Sequence, residues 1–200
     1  MSINLENPSR RDRNKQEVRA RLLDSAVRLF AEHGYADTAV SDIADRANVS
    51  RATAFNYFPR KEDYFFAWAE LRRGEARAAL AADDMSGSST VARLMRVFET
   101  LADSYERDAA FSRPLTREWL MAGGPAMARA SESAEMVTDI LLQGQAKGDI
   151  SKHIDASEAG LMMLDLYLGA LYRWARGDEE GPLKAPLTQA LALLLSAMAA

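Results

Sequence analysis

The chain contains no cysteine. That absence removes disulfide frameworks, thiolate zinc sites, cysteine nucleophiles and thiol redox switches together. Histidine is nearly as scarce. His33 and His153 are the only two and lie far apart, so no histidine-based metal site is expected. There is no glycine-rich phosphate loop and no nucleophile–base–orienter set, so neither enzyme chemistry nor a cofactor is expected. Residues 1–15 lack the apolar core of a secretory signal. The last apolar run falls short of the roughly 20 residues that span a bilayer. A cytoplasmic protein with no membrane partner is the expectation. β-Branched residues are sparse and no hairpin turn separates alternating runs, so strands are not expected either.

What is present is helix-forming. The 200 residues are 48% apolar and 27% charged, the composition of a globular chain with length enough for a substantial core. Alanine and leucine dominate, and both favour helix. The net charge of −4 argues against a nucleic-acid binder when taken whole. It is unevenly spread: residues 1–63 carry 11 basic and 10 acidic side chains, the remainder 14 and 19. The neutral part and the acidic part are expected to do different work.

The periodicity predicts a polar, basic tail to about Arg13 and then helices over about 15–33, 40–47, 51–57, 61–82, 90–107, 111–121, 126–147, 155–176 and 187–198. Gly34 stops the first, Ser50 caps the third and Pro59 ends it. Residues 83–89 (DDMSGSS) read as a linker and residues 177–186 as a loop. Asn48 suits the left-handed conformation of a tight turn between the second and third helices.

Two short helices behind a longer one suggest a helix-turn-helix unit. Ala44 is small where two helices approach closely, and Ile43 and Val49 supply apolar contact across the turn. Thr53, Asn56 and Tyr57 share one face of the third helix, with Arg51 at its N-terminal end. Arg51 is the candidate to read a guanine edge through paired donors. Ser50, Thr53, Tyr57 and Lys61 are candidate phosphate contacts, which orient without reading sequence. Phe55 has only a thymine methyl or a sugar to meet. Arg10, Arg11, Arg13 and Lys15 form either an arm toward DNA or a solvated tail.

The stretch Gly34-Tyr35, then residues 41–51 (SDIADRANVSR), then residues 53–61 (TAFNYFPRK) resembles the DNA-binding signature of the TetR family of transcriptional regulators. The resemblance covers about residues 15–65. It implies an all-α homodimer: a tail and helix-turn-helix domain over residues 1–60, and an effector-binding and dimerisation domain over 61–200. It further implies a repressor released from a palindromic double-stranded operator by a small-molecule effector, with the dimer formed by the last two helices. Ala39 stands where the family usually has a capping Ser or Thr that touches a phosphate, and Thr38 beside it is taken as its substitute. Ala52, Phe55 and Asn48 replace the more usual Gly, Tyr and Gly, and Ala54 replaces a larger buried residue. Ala52 and Phe55 keep their places among the expected DNA contacts.

Residues 161–172 (LMMLDLYLGALY) are apolar around almost the whole circumference, as in a helix buried on several sides. A ligand pocket on one side and a partner subunit on the other account for this. Asp165 lies alone in that run, as either a structural ion pair or dimer hydrogen bond, or an effector contact. Met95, Phe98, Tyr105, Trp119, Met136, Tyr167 and Trp174 complete the candidate lining of a mainly apolar pocket. The competing readings are an enzyme that uses the same cavity, and a helical small-molecule-binding or adaptor protein without DNA binding.

Overall fold

The computed structural model describes residues 9–82, 87–121, 130–177 and 181–198. The expected linker over 83–86, the start of the seventh helix at 126–129 and the acidic run 178–180 lie outside the described residues. Among the described residues the chain is all-α, in the order α1 (Arg10–His33), α2 (Val40–Arg46), α3 (Arg51–Tyr57), α4 (Glu62–Ala82), α5 (Thr90–Glu106), α6 (Ala109–Met121), α7 (Ala130–Lys147), α8 (Ala156–Arg176) and α9 (Lys184–Met198). It forms two compact units, Met1–Trp68 and Ala69–Ala200, divided inside α4.

In the first unit α1 begins earlier than the sequence suggests. Ser9 caps it, its hydroxyl accepting from the Asp12 N–H at 3.1 Å. Asp12 in the first turn suits the positive end of the helix dipole. Arg10, Arg11 and Arg13 are therefore helical and exposed, not part of a tail. The inward stripe is Val18, Leu22, Leu23, Ala26, Leu29 and Phe30. Gly34 ends α1 at φ 86°, with its N–H returning to the Phe30 carbonyl.

No hydroxyl caps α2. Instead the Ala39 N–H donates to the Asp42 carboxylate at 3.2 Å, which is half of a capping box. Ile43 and Ala44 are fully buried. Arg46 grips Glu32 of α1 through two hydrogen bonds of 2.5 and 2.7 Å and holds that carboxyl below its ordinary pKa. The turn to α3 passes through Asn48 at φ 54°, and the Val49 N–H closes it on the Ala44 carbonyl at 3.0 Å. Phe58 ends α3, stacked on Tyr64 at the start of α4 with ring centroids 4.1 Å apart. Burial pushes the Tyr64 phenol up to about 12, so it stays neutral.

In the second unit α5 is capped by Ser89 and tied to the segment after α7. The Thr90 N–H and hydroxyl both donate to the Asp149 carboxylate, at 3.0 and 2.9 Å, and lower its pKa. Gly144 permits this approach of α7 to α5, since a Cβ there would sit 2.5 Å from the Thr90 hydroxyl. Gly160 does the same for α7 against α8, with the Thr138 hydroxyl 2.4 Å from any added Cβ. Asp155 caps α8. The Glu106 carboxylate accepts from the Leu183 and Lys184 N–H groups, and Lys184 reaches Asp103 at 2.9 Å. These bonds fasten the start of α9 to the end of α5. Leu187, Leu191, Leu195 and Met198 form the buried stripe of α9.

Replacing Asn48 by Ala is expected to lower stability by about 1–2 kcal/mol, the cost of a left-handed residue with an ordinary Cβ. Asn48→Gly is expected to be neutral or mildly stabilising. Thermal unfolding of the two variants checks both.

Candidate nucleic-acid interface and effector chamber

A helix of seven residues is held by what it buries. Ala54 is fully buried and Phe58, just beyond α3, is 2% exposed. The 3.6-residue period then turns Arg51, Ala52, Phe55 and Asn56 outward, all exposed, with Thr53 and Tyr57 half-buried at the flanks. Ser50 is exposed. Its hydroxyl accepts from the Thr53 N–H at 3.0 Å and lies 2.8 Å from the Thr53 hydroxyl, so both residues also fix the start of α3. The Arg51 guanidinium lies over the Phe55 ring, 5.5 Å from its centre. This i, i+4 cation–π contact holds the arginine along the outward face of α3. The Lys61 ammonium donates to the Ala36 carbonyl at 3.2 Å and sits 4.2 Å above the Tyr35 ring, stapling the α1–α2 connection while half-exposed.

Thr38 departs from expectation. It is 2% exposed, and its hydroxyl donates to the Leu29 and Gly34 carbonyls at 3.2 and 2.7 Å. The Gly34 carbonyl lies at the stop of α1, just past the helical ladder, and Thr38 supplies a donor to it there. Its hydroxyl is turned inward, away from the expected surface position.

In the second unit the structure brings four of the expected effector residues together. Phe98 meets Tyr167 with ring centres 5.9 Å apart, and Tyr105 meets Trp174 edge-on at 6.3 Å. Tyr105 and Tyr167 also share a hydrogen bond. Each pair spans α5 and α8 with a seven-residue step on both helices, so the rings form one layer between them. Burial raises both phenols above their ordinary pKa, Tyr167 well above it. Sequence reasoning missed the cations on this layer. Arg72 stands 5.1 Å from the Tyr105 ring centre and Arg113 stands 4.9 Å from that of Trp174, where it also donates to the Gly181 carbonyl. Burial lowers the Arg72 pKa, opposed by the two phenols and Glu75. No local signal marked them, since Arg72 shares its helical face with Glu75 and Arg113 shares its face with Thr116 and Arg117.

Met95, Trp119 and Met136 are half-buried, on α5, α6 and α7. Asp165 is exposed in the single chain, not enclosed with the ring layer. The buried residues of α8 include Met163, Leu164, Tyr167, Ala170, Leu171 and Trp174, and Asp165 falls on the opposite side with Leu161 and Met162. Within one chain the helix is buried on one side only. Among the described residues no His, Asp or Glu cluster fits a metal ion, and no helix is long and apolar enough to cross a membrane.

A helix-turn-helix head followed by a separate helical unit with a buried aromatic layer defines a DNA-binding regulator of the ligand-responsive class. The family model for bacterial regulatory proteins, tetR family, matches residues 22–67, and that for the C-terminal domain of TetR/AcrR family transcriptional repressors matches residues 69–197. The chain belongs to the TetR family of transcriptional regulators and is a transcriptional repressor, not an enzyme. Its partners are operator DNA and a small-molecule effector. It is similar to the Bacillus subtilis fatty acid metabolism regulator protein, 24% identical over 92% of this chain and 97% of that one. It is also similar to the Mycobacterium tuberculosis repressor KstR, 23% identical over 80% of this chain and 72% of that one. Among solved structures, Thermus thermophilus FadR in complex with lauroyl-CoA superposes with TM-score 0.68 and 29% identity, over 91% and 95% of the two chains.

Thr38→Val is expected to destabilise the protein by about 1–3 kcal/mol, because it removes the buried hydroxyl that donates to the Gly34 carbonyl. Arg51→Ala, on the outward face, is expected to stay within about 0.5 kcal/mol of the parent. Denaturant unfolding of both variants separates the structural residue from the surface one.

Proposed function

We propose that the chain is a homodimeric repressor that binds a palindromic operator and leaves it when a mainly apolar effector enters the α5–α8 layer. The observation that carries the DNA side is the outward face of α3, where Arg51 and Asn56 are exposed at the places a recognition helix offers to the major groove. In this reading Arg51 reads a guanine, Asn56 and Phe55 meet neighbouring bases or sugars, and Ala52 lets the backbone approach. Ser50, Thr53, Tyr57 and Lys61 contact phosphate. Each unit of the dimer reads one half-site, the two roughly 34 Å apart or somewhat more.

Dimerisation through α8 and α9 is supported by their outward faces. Leu161, Met162 and Leu193 are 46%, 55% and 70% exposed in the single chain. Large apolar side chains on adjacent helices favour a second copy over water. Asp165 lies on the same side of α8, which favours its dimer role over its ligand role. The apolar effector is supported by the ring layer, and by the Thermus thermophilus relative's complex with lauroyl-CoA. Effector binding shifts the population toward a conformer with lower operator affinity, by as much as its affinity for the two conformers differs.

Two measurements test this reading. In gel shifts against the region upstream of its own gene, Arg51→Ala is expected to cost about 1–3 kcal/mol at one base position in each half-site. Tyr57→Phe should weaken all sequences alike. Unchanged affinity and base preference for Arg51→Ala contradict the assigned reading helix. In sedimentation, Leu193→Glu is expected to give a monomer that has lost most operator affinity. A dimeric Leu193→Glu contradicts the α8–α9 interface.

A further inference from the structure

Among the described residues of the second unit, two hydroxyls of α6 are buried without a hydrogen-bond partner. Ser112 and Thr116 of α6 are 0% exposed, and neither side-chain oxygen has a hydrogen-bond partner. Helical hydroxyls elsewhere in the same unit do have partners. Thr100 donates to the Arg96 carbonyl at 2.8 Å, Ser104 to Leu101 at 2.7 Å and Thr188 to Lys184 at 2.9 Å. That backbone bond is the ordinary resort of a buried mid-helix Ser or Thr. A hydroxyl buried without any partner carries its full desolvation cost, so such groups are rare and mark a missing partner.

Their position says where the acceptor belongs. Ser112, Leu115, Thr116 and Trp119 recur at i, i+3, i+4 and i+7, which puts the two hydroxyls on one face of α6 with a tryptophan of the expected effector lining. Arg113, next to Ser112, stacks on Trp174, so this part of α6 lies at the end of the ring layer. The polar groups around the layer are mostly donors. They are the Arg72 and Arg113 guanidinium groups and two phenols that share one hydrogen bond. Glu75, the carboxylate that acts on Arg72, is itself bound by Arg107 at 3.0 Å.

We infer that Ser112 and Thr116 form the polar end of the effector chamber and donate hydrogen bonds to an acceptor oxygen, a carbonyl or carboxylate, on an otherwise apolar effector. The assignment rests on the effector-release reading above and names the chemistry of that effector. A cationic amine does not fit a wall of donors. A plain hydrocarbon end leaves both hydroxyls unsatisfied. Acyl compounds and ring ketones share the required oxygen.

The test uses the whole protein, the variants Ser112→Ala and Thr116→Val singly and together, and three probes. These are lauroyl-CoA, the steroid diketone androst-4-ene-3,17-dione, and dodecylamine as a donor-only control. Calorimetry gives the affinities, and thermal unfolding is recorded without any probe. The wild type is expected to bind at least one of the two oxygen-bearing probes, and the one that binds tells acyl from ring ketone. The double variant should bind it about tenfold more weakly or worse, as expected for the loss of one to two hydrogen bonds. Without probe, the variants should melt at the parent temperature or above, because an unsatisfied hydroxyl has been removed. Equal affinity in parent and double variant overturns the assignment. So does a ligand-free variant that melts several degrees lower, which marks a structural role, or a wild type that binds neither oxygen-bearing probe. A probe that binds without releasing the protein from DNA contradicts the effector-release reading instead.

Discussion

An isolated helix of seven residues is not stable in water, because nucleation costs more than so few hydrogen bonds return. The second helix of the helix-turn-helix, α3, is such a helix, so much of the first unit follows from the need to hold it. Ala54 supplies the buried anchor on α3, and Phe58 stacked on Tyr64 supplies the second. Ala44 and Ile43 press α2 behind it, and Asn48 in the left-handed region makes the turn short enough for them to meet. The clamp of Arg46 on Glu32 and the staple of Lys61 over Tyr35 then fix α2 and the α1–α2 connection to the rest. Exposed ion pairs contribute little each. Most of the stabilisation is therefore apolar, and the charged groups mainly set register.

That economy bears on the charge of the molecule. The first 63 residues are close to neutral, so general attraction to phosphate is weak. Under the proposed reading, binding then depends on a small set of placed contacts on α3, together with the exposed arginines in the first turns of α1. The second unit works under a different constraint. It sets two arginines against a layer of four aromatic rings, and it leaves apolar side chains uncovered on the outer faces of α8 and α9. In the proposed dimer, the inward and outward faces of α8 would link the ligand layer to the second subunit.

Much of this was legible in the sequence because its signals are local. Gly34, Ser50, Pro59 and Asn48 act through their own backbone geometry, and α3 runs over the residues that Ser50 and Pro59 frame. The errors are where a side chain's partner is distant in sequence. Thr38 reads as a surface cap until the carbonyl of Leu29 is seen beside it. Asp165 reads as buried because a wholly apolar segment hides which side of α8 faces inward. Arg72, Ser112 and Thr116 escaped notice for the same reason: an isolated arginine or hydroxyl on a helix means nothing until the opposing helix is known. The start of α1 was missed because Ser9 and Asp12 form a cap too polar to stand out from the basic residues around them.

The central claim is that two copies of α3 read DNA together. Selection of binding sites from a random DNA library tests it most directly, since it assumes neither operator nor effector. The account predicts enrichment of an inverted repeat whose half-site centres lie about one helical turn or somewhat more apart. Enrichment of a single half-site or a direct repeat, or no enrichment at all, would contradict it.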